Sequence, residues 1–146
     1  HFPKNDPIGA RRALRKSIIQ ILAVMIPASV VTFFFAPWIV WLIYEGRAFD
    51  AAATVRVSQA LSVYGIGLAF FGVQKCLVPF FQAQKDMKTP LRVTLVTVVI
   101  NATLNILAVA CLSEDYRHVG LAASTTFCAL VGCLLLTIKL FRSPTP

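Results

Sequence analysis

The residues of this chain that could do chemistry are polar groups set inside apolar runs. Lys75 lies within residues 57–81, about six residues from the end of that run. An ammonium near the centre of a bilayer costs roughly 2.5–3.5 kcal/mol on insertion scales. Two readings therefore stand for Lys75. Its stem snorkels to an interface ~9 Å away, at ~1.5 Å per residue, or it faces a cavity and offers a point charge to an anionic headgroup. Asn101 and Asn105, four residues apart, project from one face of a helix. Ser124, Thr125 and Thr126 fall at a similar depth on the next apolar run, because both runs are counted from the short connection between them. Amides in hydrocarbon need partners. The set predicts either interhelical hydrogen bonds, about 0.6 kcal/mol each on average, or a cation site of amide and hydroxyl oxygens.

Enzymatic chemistry has no comparable basis. There is no Walker A loop, no HExxH and no Ser/His/Asp set, and all six acidic residues lie outside the apolar runs. A non-enzymatic role is expected. Cys76, Cys111, Cys128 and Cys133 form no CxxC pair and have no His at zinc spacing. All four fall within apolar runs, where a free thiol packs as a small hydrophobe, so no metal is expected.

These groups require a scaffold that lives in an apolar solvent. The chain is 58% hydrophobic and 14% charged, against about 45–50% and about 25% in soluble domains, so it cannot cover a water-facing surface. Four runs reach the ~20 residues that a ~30 Å hydrocarbon core demands of a helix. They are 18–44, 57–81, 91–112 and 119–141, preceded by a basic cytoplasmic segment, 1–17. The expected fold is an all-α membrane protein with four transmembrane helices in one membrane domain. Pro27 and Pro37 should kink the first helix, and Trp38, Trp41 and Tyr44 mark its interfacial end. Gly46 reads as a stop after that helix and Asp50 as a cap for the next. Thr89 reads as the cap of the third, with Pro90 at its first position. The glycines of the second run (Gly65, Gly67, Gly72) and the small residues from Gly120 to Ser124 permit close helix approach.

A net charge of +8 raises nucleic acid as a partner. However, the basic residues concentrate in the first sixteen positions and at the edges of apolar runs, with no stripe interleaved with stacking aromatics. Nucleic acid is therefore not expected, and anionic membrane lipid is. Ten Lys and Arg fall on the N-terminal segment, second connection and C-terminus, against three on the first and third connections. The excess of positive charge places both ends in the cytoplasm.

Several local patterns, in order, resemble the lipid II flippase family (MurJ, also called MviN). They are Ile26-Pro27-Ala28, then Phe35-Ala36-Pro37-Trp38 with the Gly46 to Phe49 loop, Tyr64-Gly65-Ile66-Gly67 with Lys75 to Phe81, Asp86-Met87-Lys88-Thr89-Pro90, Asn101 with Asn105, and the glycine-led Gly120 to Thr125. The resemblance implies the third to sixth helices of the second lobe of a 14-helix, two-lobe transporter of the multidrug/oligosaccharidyl-lipid/polysaccharide exporter superfamily. It further implies alternating-access movement of lipid II across a bacterial inner membrane, with the remaining helices of that transporter as partners. On that basis Lys75 is the candidate cavity charge. Asn101, Asn105 and Thr125 are candidates for a coupling-cation site, with no other cofactor. Pro27, Gly46, Phe49, Asp86, Thr89, Pro90 and Gly120 are structural. A related exporter of another polyprenyl-linked polysaccharide or of a drug, and a four-helix membrane scaffold or assembly protein, are the alternatives.

Overall fold

The computed structural model describes residues 7–44, 51–114 and 116–142, without the side chains of Pro7, Ile8, Tyr44, Ala51 and Ala52. Among these residues the chain forms four helices, α1 (Pro7–Tyr44), α2 (Ala51–Ala83), α3 (Lys88–Cys111) and α4 (Arg117–Arg142). Each is long and apolar enough to cross a membrane. Gly46, Phe49 and Asp50 of the first connection lie outside the described residues.

The helices outrun the apolar stretches that announce them. α1 begins at Pro7 rather than near residue 18, because Ala, Leu, Arg and Lys are good helix formers and nothing interrupts them. From Pro7 onward the basic segment is therefore the opening turns of α1. Leu14 turns inward there, while Arg12, Arg15 and Lys16 stay exposed. At ~1.5 Å per residue α1 is ~57 Å long, so its basic turns project beyond a ~30 Å core. α1 also runs on as helix through Pro27 and Pro37, and α2 through Pro79.

Spatial order departs from chain order. α1 packs along α2, α2 along α4 and α4 along α3, whereas α2 and α3, consecutive in sequence, barely touch. Leu14, Leu77, Phe81 and Leu136 form a buried cluster. It ties the start of α1 to the ends of α2 and α4, and so gathers the basic helix ends on one side. On α2, Gly65 and Gly72 are one heptad apart and admit α1. A Cβ on Gly65 would meet Phe33 N at 3.2 Å, and one on Gly72 would meet Met25 Cγ at 2.8 Å. Gly67 faces α4 instead, with Thr126 Oγ1 at 3.0 Å from its notional Cβ. The outer surface keeps large apolar side chains exposed, Phe34, Trp38, Leu42, Ile106 and Phe141 among them, as a lipid-facing protein must.

The turn between α2 and α3 closes both helices through adjacent residues. The Asp86 N–H donates to Phe81 O (3.0 Å) and the Lys85 N–H to Gln82 O (2.9 Å), with Lys85 at φ 62°. This is a Schellman closure carrying lysine where glycine is usual. Asp86 Oδ1 then accepts from the Thr89 N–H at 3.0 Å. The cap of α3 is thus Asp86 and not Thr89. Thr89 and Pro90 lie inside the first turn, where Pro90 is buried, because a carboxylate three residues back reaches the free N–H that a hydroxyl at Thr89 cannot. At the far end Arg117 Nε donates to Leu112 O at 3.3 Å. A Cβ on Gly120 would stand 3.0 Å from Ala108 Cβ, so this glycine brings α3 and α4 close beside their connection.

The Thr89 hydroxyl and backbone N–H hold the Asp86 carboxyl below its ordinary 3.8. A carboxyl depressed in the folded state stabilises above its unfolded pKa, and that contribution is lost as pH falls through the lower, folded value. Asp86→Ala should cost about 1 kcal/mol, the usual worth of an N-cap. In melting experiments on the intact protein in detergent, the gap between wild type and variant should shrink as pH falls below 3.8. An equal gap at all pH values would exclude a carboxylate cap.

Candidate functional site

α2, α3 and α4 enclose an open groove of about 420 Å³. Thr125 and Ala129 of α4 form its floor, Phe71 and Gln74 of α2 one wall, and Asn101 and Asn105 of α3 the other. Among the described residues, no charged side chain lines it.

The spacing on α3 sets up the polar wall. One helical turn separates the two asparagines, and Asn105 Nδ2 donates to Asn101 Oδ1 at 2.8 Å. Asn101 Nδ2 donates across to Thr125 Oγ1 at 3.4 Å, and Thr125 Oγ1 donates to Leu121 O at 3.0 Å. Asn101, Asn105 and, of the three hydroxyls expected at their depth, Thr125 therefore meet in one hydrogen-bonded chain. Asn105 Oδ1 is buried and accepts no hydrogen bond from the described protein atoms.

The neighbouring hydroxyls divide by face, as ~100° per residue requires. Ser124 is buried and donates to Gly120 O of its own helix at 2.8 Å. Thr126 turns to α2 and donates to Val63 O at 3.1 Å. Three consecutive residues thus serve α4 itself, α3 and α2.

Lys75 is exposed on α2, adjacent in sequence to a wall of the groove but not part of it. Gln74, which sequence reasoning passed over, is the residue that enters. Its Nε2 donates to Ala129 O at 2.7 Å. A Cβ on Gly132 would lie 2.6 Å from Gln74 Nε2 and 3.4 Å from Thr97 Cγ2, so three helices converge on a glycine. The available signal was heptad spacing, since Gln74 follows the α4-facing Gly67 by seven residues.

A family model described as lipid II flippase MurJ matches residues 1–145. Among curated proteins, the chain is 31% identical over 128 residues to the probable lipid II flippase MurJ of Rickettsia prowazekii (strain Madrid E), covering 88% of this chain and 24% of that protein. It is 32% identical to the probable lipid II flippase MurJ of Rhizobium tropici, covering 87% and 23% respectively. It is also 32% identical to the lipid II flippase MurJ of Burkholderia cenocepacia, covering 78% and 21%. The chain spans about a quarter of the length of such relatives. No solved structure matches it.

The packing at Gly132 makes a non-additive prediction. Gly132→Ala should push the flexible end of Gln74 off Ala129 O and destabilise by about 0.6 kcal/mol, the average worth of an interhelical hydrogen bond. In a Gln74→Ala background the same substitution should cost far less. Equal costs in both backgrounds, measured by thermal unfolding in detergent, would mean that Gln74 is not what Gly132 makes room for.

Proposed function

Because the chain belongs to the lipid II flippase MurJ family, we propose that these helices are part of a transporter that moves lipid II across the bacterial inner membrane by alternating access. The observation that carries this reading is the family match over residues 1–145, borne by a multi-pass unit whose groove sets amide and hydroxyl side chains within the apolar stretches. A sugar-pyrophosphate head cannot cross hydrocarbon without a hydrated path, and paired lobes supply one. The exposed apolar faces of α1 and α3 suit contact with lipid and with the remaining helices of the transporter.

The basic helix ends support a cytoplasmic position for both chain ends. Arg12, Arg15, Lys16, Lys88, Arg92, Lys139 and Arg142 are exposed there, and an excess of positive charge favours that side. Lys75, exposed and not on the lining of the groove, is proposed as a charge facing a cavity completed by helices outside this chain. The work done is binding and reorientation, without covalent chemistry.

The groove is proposed to hold a coupling cation. A buried acceptor without a donor among the described residues, Asn105 Oδ1, and the Thr125 hydroxyl, both on the lining of the groove, fit such an ion. Both groups are neutral and suit a loosely held monovalent ion better than a divalent one. At a concentration tenfold above its dissociation constant, an ion bound only to the folded state adds about 1.4 kcal/mol. The intact protein should therefore melt higher in sodium chloride than in equimolar choline chloride, and Asn105→Ala should remove the difference. Identical melting of wild type in the two salts would dismiss the cation.

The transport reading is tested in cells depleted of their own lipid II flippase. The intact protein should restore growth and lipid II exposure at the outer surface. Lys75→Ala should reach the membrane at normal levels yet lower translocation severalfold. Failure of the wild type to restore lipid II exposure, despite normal membrane levels, would reject the function. Full activity of the lysine variant would leave Lys75 to snorkelling.

A further inference from the structure

Pro37 lies within α1 and has no N–H. Counting back four residues, the carbonyl it leaves without its helical donor is that of Phe33. In a hydrocarbon environment such a carbonyl needs a donor from elsewhere. Ser62 of α2 supplies one, with its Oγ 3.3 Å from Phe33 O. The same Oγ is 3.0 Å from Ser58 O, one turn back in its own helix. A serine hydroxyl carries one proton, so two carbonyls on different helices compete for it. Gly65, one turn further along α2, lets the backbone of Phe33 approach, with Phe33 N 3.2 Å from its notional Cβ. Close packing thus brings the freed carbonyl within reach of the serine.

We infer that Ser62 is the latch of a hinge at Pro37. With its proton on Phe33 O, the last turns of α1, which carry Trp38 and Trp41, are held against α2. With its proton on Ser58 O, the Phe33 carbonyl loses its donor and α1 is free to bend at the proline. Shifting the proton needs only rotation about the Cα–Cβ and Cβ–Oγ bonds and leaves α2 intact, because a Ser hydroxyl bonded to the i−4 carbonyl is an ordinary helical state. Both positions satisfy the serine, and only one satisfies α1. The inference concerns the helix pair alone and stands apart from what the protein carries.

The test is hydrogen exchange on the intact protein in lipid nanodiscs, read for the backbone amides of residues 34–43. Ser62→Ala should speed exchange there about threefold, the factor corresponding to a typical interhelical hydrogen bond in a membrane protein. Exchange in the Leu14–Ile18 turns of α1 should not change. Pro37→Ala returns an N–H to Phe33 O, so it should slow exchange in the same segment and make Ser62→Ala silent when the two are combined. Unchanged exchange in the single serine variant would overturn the latch, as would an undiminished serine effect in the Pro37→Ala background.

Discussion

Within hydrocarbon no water is present to receive an unpaired polar group, so each donor and acceptor on a spanning helix must be answered by another part of the protein. The contacts between helices in this chain follow from that requirement. Ala129 O answers the Gln74 amide, Val63 O answers the Thr126 hydroxyl, Asn101 reaches Thr125, and Ser62 covers a carbonyl that a proline has released. Each bond crosses between helices. Three of the four run to or from α4 or its backbone, and three involve α2. These are the same two helices that lie in the middle of the spatial order.

Small residues are what make such bonds reachable. A hydrogen bond to a neighbouring backbone carbonyl requires the helices to approach more closely than large side chains allow. α2 meets this demand on two faces at once, with Gly65 and Gly72 toward α1 and Gly67 toward α4. Gly132 does the same on α4, where Gln74 and Thr97 converge. Charge has little part in this interior. The described ion pair, Arg117 with Glu114 at 3.5 Å, lies on the exposed connection between α3 and α4, where such pairs contribute little.

Much of this architecture was legible in the residues. Apolar length alone announced four spans, because membrane thickness sets a threshold that chance runs seldom reach. The polar wall was legible too. A four-residue interval fixes a shared face for Asn101 and Asn105, and counting from a short connection sets them at the depth of Ser124, Thr125 and Thr126, of which the structure shows Thr125 meeting Asn101. What escaped depended on facts that a linear pattern lacks. The start of α1 at Pro7 follows from helix propensity continuing past the apolar boundary. The transfer of the α3 cap from Thr89 to Asp86 follows from the reach of a side chain across a turn whose left-handed Lys85 sequence does not advertise. Gln74 was overshadowed by the charge beside it, and its role depends on the void at Gly132, fifty-eight residues later in the chain. The adjacency of α2 to α4 rather than α3 is a property of three-dimensional order alone.

That non-sequential order bears on how the chain enters a membrane. Helices emerge from the ribosome in chain order, so α3 reaches the bilayer while its principal neighbour, α4, is still being synthesised. During that interval Asn101 and Asn105 must tolerate lipid without Thr125. Their mutual bond at 2.8 Å lies within one helix and needs no partner to form. The amide pair therefore offsets part of its own desolvation during biogenesis. α4, arriving after α2 and α3, wedges between these two helices already inserted and supplies contacts to both.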